Sequence, residues 1–297
     1  MQRLPLRPVL LLSAILTGLA CASCTPPGES EEQEAAGTTA AQSDCALVWA
    51  DEFENDGLPD PEKWRYDVGG HGWGNDELQY YTGARPENAR VEDGRLIVEA
   101  RKDGDTAGTA AYDGREYTSA RLLTREEWTY GRFEASAKLP SGRGTWPAIW
   151  MLPDLSAYGG WPLGGEIDIM EHVGHDPDVV HSTVHTGAYN HSIGTHKGAQ
   201  IEVPTARTDF NVYAVEWTPE EIRGYVNDEH YFTFENETLV DEEAGQPEWP
   251  FDHPFHIILN IAVGGAWGGQ QGVDPDIWPQ RMEVEYVRVY DCGWGGR

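Results

Sequence analysis

An all-β protein, two antiparallel sheets stacked as a jelly-roll sandwich, is the fold class that three observations on this sequence predict. Its apolar segments are short and rich in Val, Ile, Phe, Tyr and Trp, as in RLIVEARK, GRFEASAKLP, WPAIWMLP, EIDIMEHV, STVHTG, FNVYAVEWTP, EIRGYVND, HYFTF and FHIILNIAVGG. Clusters of Gly, Pro, Asn and Asp separate them, and no convincing helix intervenes. The composition agrees: 34 Gly and 19 Pro favour turns, while 12 Trp and 13 Tyr within a 39% hydrophobic share are ample for a core. Within GRFEASAKL the alternation is clear, with Phe133, Ala135, Ala137 and Leu139 on one face and Arg132, Glu134, Ser136 and Lys138 on the other. FHIILNIAV does not alternate, as expected of a strand covered on both sides.

Taken from the amino terminus, residues 1–23 read as an export signal. Arg3 and Arg7 precede the apolar run VLLLSAILTGLA, which is too short to span a bilayer and is followed by small residues. Cys21 and Cys24 lie in LACASC, similar to a bacterial lipoprotein box, so lipid attachment and simple cleavage with release are both open. Export, to the medium or the cell envelope, is expected either way. Residues 24–44 are polar and acidic with no large apolar side chain, so they cannot offset their own ordering entropy and form a linker. Globular patterning occupies 45–297 without internal repeats, giving one domain and an expected monomer. Cys45 and Cys292 bracket that domain, and in an exported chain a disulfide between them is the expectation, two free thiols being the alternative.

Charge narrows the partners. The formal net charge of -29 becomes -31 once Arg3 and Arg7 leave with the signal, which argues against nucleic acid and against anionic membrane surfaces except through a lipid anchor.

The stretch GEIDIMEHVG carries the chemistry. Glu166 and Asp168 share a strand face by the two-residue period, whereas Glu171 falls at an odd offset and would point the other way. A β-bulge at Ile169 and Met170 would restore all three to one face. Glu166 and Glu171 would then stand roughly 13 Å apart along the backbone, at about 3.3 Å per residue. Inclined side chains on a curved sheet could close that to the roughly 5–5.5 Å of retaining glycosidases. Three neighbouring carboxylates cannot all ionise cheaply, so a proton should be kept near neutral pH. The assignment is Glu166 as nucleophile, Glu171 as acid then base, and Asp168 as the partner of Glu166; spacing alone leaves the two outer roles interchangeable.

Trp146, Ala148 and Trp150 of TWPAIWM project to one face and Pro147, Ile149 and Met151 to the other, so the two indoles form a candidate sugar-stacking wall. Six histidines follow the acids: His172, His175, His181, His185, His191 and His196. Their order does not frame a Glu on a helix as zinc proteases require, and no catalytic metal or other cofactor is expected. His185 is the one placed in the cleft, beside the acidic strand; the others are expected in solvated loops.

These residues resemble glycoside hydrolase family 16 in its laminarinase-like, endo-β-1,3-glucanase form. The likeness runs in order through WADEF, GWGNDELQYYT, SARLLT, YGRFEASAKLP, GTWPAIWMLP, GEIDIMEHVG, HSTVHTG, FHIILNIAVGGAWGG and VEYVRVY, nearly all of residues 46–292. It implies a long open cleft on the concave face of the sandwich and internal, retaining hydrolysis of a β-1,3-glucan polysaccharide. Family members with other loops cut mixed-linkage glucan, agarose or carrageenan, and a non-catalytic β-glucan-binding protein is the rival from another class. The resemblance implies substrate contacts at Asn75, Glu77, Arg121, Trp146, Trp150, His185, Trp267 and Gln271. It also implies a structural calcium near Glu52, Gly94 and Asp291. The loops Tyr158–Leu163 and Tyr189–Gly198 are expected to set specificity.

Overall fold

The computed structural model describes residues 45–103, 112–154 and 156–295. The expected signal, lipid-attachment cysteines and linker of residues 1–44 lie outside the described residues.

Two sheets form the domain. The first runs in the order β12 (Lys197–Glu202), β11 (Val179–His185), β10 (Glu166–Glu171), β9 (Thr145–Pro153), β16 (Phe255–Val263), β7 (Arg121–Thr124) and β2 (Trp64–Tyr66), antiparallel throughout. The second is built from β15 (Glu229–Glu235), β14 (Glu221–Val226), β13 (Asn211–Trp217), β8 (Gly131–Lys138), β17 (Gln280–Asp291), β5 (Arg95–Lys102), β6 (Tyr117–Ser119) and β3 (Gln79–Tyr81), with β1 (Ala46–Asp51) on β17 and β4 (Ala89–Glu92) on β5. Among the described residues the antiparallel expectation fails only at the pair β3–β6, which is parallel. The long connection between those two short strands lets them run the same way, which a tight hairpin forbids.

The sheets meet through one apolar layer. Ile149, Met151, Ile167, Ile169, Met170, Ile257, Leu259 and Ile261 of the first sheet pack with Phe133, Ala135, Ala137, Tyr213, Val215, Trp217, Val284 and Val287 of the second. Alternation in β8 places Phe133, Ala135 and Ala137 in this layer, as its pattern requires. Its polar face is also buried: Arg132 pairs with Glu134 at 3.0 Å, Glu216 at 3.4 Å and Asp228 at 2.8 Å, so ion pairs tile the outer surface of the sheet. β16 is buried along its whole length. Its core side is Ile257, Leu259 and Ile261, while on the other face Ile258 packs with Leu123, Leu152 and Trp150.

Cys45 and Cys292 are joined by a disulfide with Cα atoms 4.1 Å apart, 247 residues apart in sequence. The bond ties β1 to the end of its neighbour β17, where Ala46 pairs with Asp291. The side chains of Glu52 and Asp291, named with Gly94 for the expected calcium, have protein partners. Both Glu52 oxygens accept from Arg288, at 2.8 and 2.9 Å, and Asp291 accepts the Gly293 N–H at 2.7 Å.

Closing so long a loop removes denatured-state entropy, and the stabilisation expected of such a bond is about 2–5 kcal/mol. The double variant Cys45→Ser/Cys292→Ser should therefore melt several degrees lower than the parent in calorimetry while keeping its β-sheet circular dichroism.

Candidate active site

The bulge is present. In pairing with β9, Asp168 stands opposite Trp150 and Met170 opposite Ile149, which leaves Ile169 unpaired; against β11, Asp168 faces Thr183 and Glu171 faces His181. Ile167, Ile169 and Met170 all point into the core, each no more than 1% exposed. Two consecutive core-facing side chains return Glu171 to the face of Glu166 and Asp168. Glycines bracket the strand for a steric reason. Gly165 has φ +86°, and a Cβ on Gly174 would lie 1.8 Å from the Gly142 carbonyl oxygen.

The carboxylates are individually held. Trp161 donates its indole N–H to Glu166 Oε2 at 2.8 Å, and Trp146 donates to Glu171 Oε1 at 3.0 Å. His185 Nε2 lies 3.4 Å from Asp168 Oδ2 and 3.8 Å from Glu166 Oε1. The Asp168 backbone oxygen accepts from Ser182 Oγ at 2.8 Å, locking the strand just before the bulge. Burial, then the charge of Asp168, holds the Glu166 carboxyl well above the usual range. Burial, then the charge of Glu171, does the same to Asp168. Burial also raises Glu171, against the opposing influence of His185 and the Trp146 hydrogen bond. One strand thus carries three acids that favour shared protons.

Around them lies a groove of about 660 Å³, lined among others by Asn75, Trp146, His181, Trp267 and Gln270. The Trp146 and Trp267 rings meet edge to face at 5.5 Å, and His181 meets Trp267 at 4.9 Å. A smaller extension is walled by Trp73, Arg121 and Trp150, with the Arg121 guanidinium 4.8 Å from the Trp73 ring and 4.7 Å from that of Trp150. Arg121 also lies 3.1 Å from Asp67.

The structure brings together Asn75, Glu77, Arg121, Trp146, Trp150, His185 and Trp267 around the acids, but Gln271 needs correction. Gln270 lines the groove, whereas Gln271 uses its backbone carbonyl to accept from Arg143 at 2.9 Å. Successive turns in this loop, with Gln270 N–H donating to the Trp267 carbonyl, rotate neighbouring side chains in a way that a run of two Gln cannot reveal. His181, expected in a solvated loop, lies instead in β11 and lines the groove, while His191 and His196 are exposed outside the strands as expected and line the groove too. His181 comes to the groove because the bulge sets it opposite Glu171; His191 and His196 come by the folding back of the loop after β11, with rings 5.2 and 5.8 Å from His185. Trp161 was legible only as part of a loop. Trp73, Gln79, Tyr81 and Asn260 also belong to the site or its hydrogen-bond network, and the sequence mark of Asn260 is a lone amide inside the apolar run IILNIAV.

The family model for glycosyl hydrolases family 16 matches residues 78–288. The chain belongs to glycoside hydrolase family 16. A β-glucanase of Rhodothermus marinus is 68% identical over 248 residues, spanning 82% of this chain and 84% of the relative. The crystal structure of the laminarinase from Rhodothermus marinus superposes with a TM-score of 0.79 at 66% identity, covering 83% of this chain and 97% of that one. SCLam, a non-specific endo-β-1,3(4)-glucanase of the family, gives a TM-score of 0.77 at 49% identity, covering 84% and 92%. The jelly-roll sandwich with its groove on the seven-stranded sheet is the architecture of a glycoside hydrolase.

Parity has a checkable consequence. Deleting Ile169 leaves Glu-Ile-Asp-Met-Glu in strict alternation, so the three acids stay on the groove face at a cost of about 2–4 kcal/mol for the lost core side chain. That variant should retain glucan hydrolysis well above the level of Glu171→Gln. Inserting one alanine after Ile169 should instead abolish hydrolysis, because the even offset it creates keeps Glu171 on the groove face but adds a pleat repeat, roughly 7 Å at about 3.3 Å per residue, between it and Glu166.

Proposed function

We propose that this glycoside hydrolase cleaves internal linkages of laminarin-type β-1,3-glucan with retention of anomeric configuration, using Glu166 as nucleophile, Asp168 as its partner and Glu171 as acid then base. The observation that carries the reading is the bulged strand that sets these three carboxylates on one face of an aromatic-walled groove. The names of its relatives support the substrate class, since the Rhodothermus marinus structure is a laminarinase.

In the free enzyme a proton is best kept on Asp168, which is 2% exposed and whose Oδ2 accepts no hydrogen bond. Glu166 is then the anion, stabilised by the Trp161 N–H. Attack by Glu166 on the anomeric carbon breaks the glycosidic bond as Glu171 delivers its proton to the departing oxygen. A glycosyl ester on Glu166 results. Glu171, now ionised and held by Trp146, takes a proton from water, whose oxygen displaces Glu166 from the same face that the first sugar left. Two inversions give retention.

Export is part of the proposal. A disulfide that closes the domain suits an oxidising compartment, in keeping with a signal at residues 1–23 followed by release or lipid anchoring.

Glu166→Gln and Glu171→Gln should each lower laminarin hydrolysis by roughly three orders of magnitude or more while laminarin binding in calorimetry survives. With an activated aryl glycoside, azide should rescue Glu171→Ala and release the β-glycosyl azide; an α product would contradict retention. Trp146→Phe removes a hydrogen bond that favours the ionised form of Glu171, so its pKa rises. The basic limb of the kcat/KM profile should move to higher pH, and a shift to lower pH would assign the acid elsewhere. Parallel reducing-end assays on laminarin, lichenan, agarose and carrageenan test the substrate class.

A further inference from the structure

We infer that Glu77 is a positioning residue whose acceptor-only carboxylate sets the direction of a buried hydrogen-bond chain and thereby aims two walls of the substrate groove. The inference rests on the reading of that groove as a β-glucan site, and gives Glu77 a different part from the direct sugar contact that family resemblance implies. Glu77 is 6% exposed, yet three side chains converge on it: Asn75 Nδ2 at 3.3 Å, Gln79 Nε2 at 2.5 Å and Tyr81 Oη at 3.2 Å. Burying a carboxylate is costly unless donors compensate it, and here they come from both of its edges.

The polarity of these bonds follows from chemistry. An ionised carboxylate can only accept, so the Tyr81 hydroxyl must spend its one hydrogen on Glu77 and offer a lone pair elsewhere. That lone pair accepts from Asn260 Nδ2 at 3.0 Å, which leaves Asn260 Oδ1 free to accept the Trp150 indole N–H at 2.7 Å. Every donor in the chain Trp150, Asn260, Tyr81, Glu77 therefore points the same way. Trp150 is the end of the chain and, with Trp73, encloses Arg121 in the groove wall.

A second arm reaches the opposite wall. Gln79 donates to Glu77, which orients its Oε1 to accept the Val263 N–H at 2.7 Å. Asn75, whose amide is held by Glu77, accepts the Ala266 N–H through its backbone carbonyl at 2.7 Å, immediately before Trp267. Glu77 itself forms an isolated antiparallel bridge with Gly264, just before β3 and just past the end of β16. One carboxylate thus connects the Trp150 platform to the Trp267 loop.

Glutamine at 77 has nearly the same volume but turns an NH2 toward donors, so at least one of the three bonds must break or reverse. With laminarin and the mature enzyme, Glu77→Gln should raise KM about tenfold, the equivalent of one lost buried hydrogen bond, while kcat stays within about twofold. Tyr81→Phe cuts only the Trp150 arm and should give a smaller rise in KM; it keeps the test alive if Glu77→Gln does not fold. The indole N–H resonance of Trp150, assigned through Trp150→Phe, should move upfield in both variants, and Glu77→Asp should recover part of the affinity. An unchanged KM with a lowered melting temperature would reduce Glu77 to a stability role and overturn the inference, as would a fall in kcat alone. Failure of the parent enzyme to bind laminarin would instead refute the substrate reading, leaving the indole resonance to judge the chain.

Discussion

Mutual repulsion among three dehydrated carboxylates is the constraint on which the rest of the groove depends. Glu166, Asp168 and Glu171 share one strand face, and each is driven toward its protonated form first by burial. A chain could avoid this by turning the third acid to the core side, where it would be far more costly, or to solvent, where it would be useless as a proton donor. The bulge at Ile169 takes the remaining course. Two consecutive apolar side chains go to the core and contribute burial there, and that burial offsets the strain of crowding the acids together.

Donors placed around the cluster limit the repulsion without abolishing it. Trp161 and Trp146 each give one indole N–H to an outer Glu, and His185 faces the inner pair. An indole can donate but never accept or titrate, so its preference for the anion is independent of pH. Tryptophan consequently does two jobs in this groove, since its face forms an apolar wall while its edge tunes an acid. The same logic recurs at Glu77, where neutral amides and a phenol surround a buried charge.

Much of this was legible in advance where period decides the outcome. Alternation in GRFEASAKL assigned Phe133, Ala135 and Ala137 to the core, and the odd offset of Glu171 demanded a bulge that the pairing of β10 contains. TWPAIWM likewise separated Trp146 and Trp150 from Ile149 and Met151. Local rules failed where loops fold back. Gln270 takes the position expected of Gln271, and His191 and His196 gather beside His185 because of the path of the loop after β11. The partner of Glu52 is equally long-range: its carboxylate meets Arg288, 236 residues away in sequence.

By itself the sequence determined the sandwich class, the faces of its alternating strands and the need for a bulge between Asp168 and Glu171, because a two-residue period and the avoidance of buried unpaired charge are properties of neighbours along the chain. Only the tertiary structure decided which donors meet which acids. The partners of Glu166 and Glu171 come from a loop and a neighbouring strand, and Tyr81 reaches Asn260 across 179 residues. Hydrogen bonds require contact within about 3 Å, and contact between distant segments is set by how the sheets pair and pack.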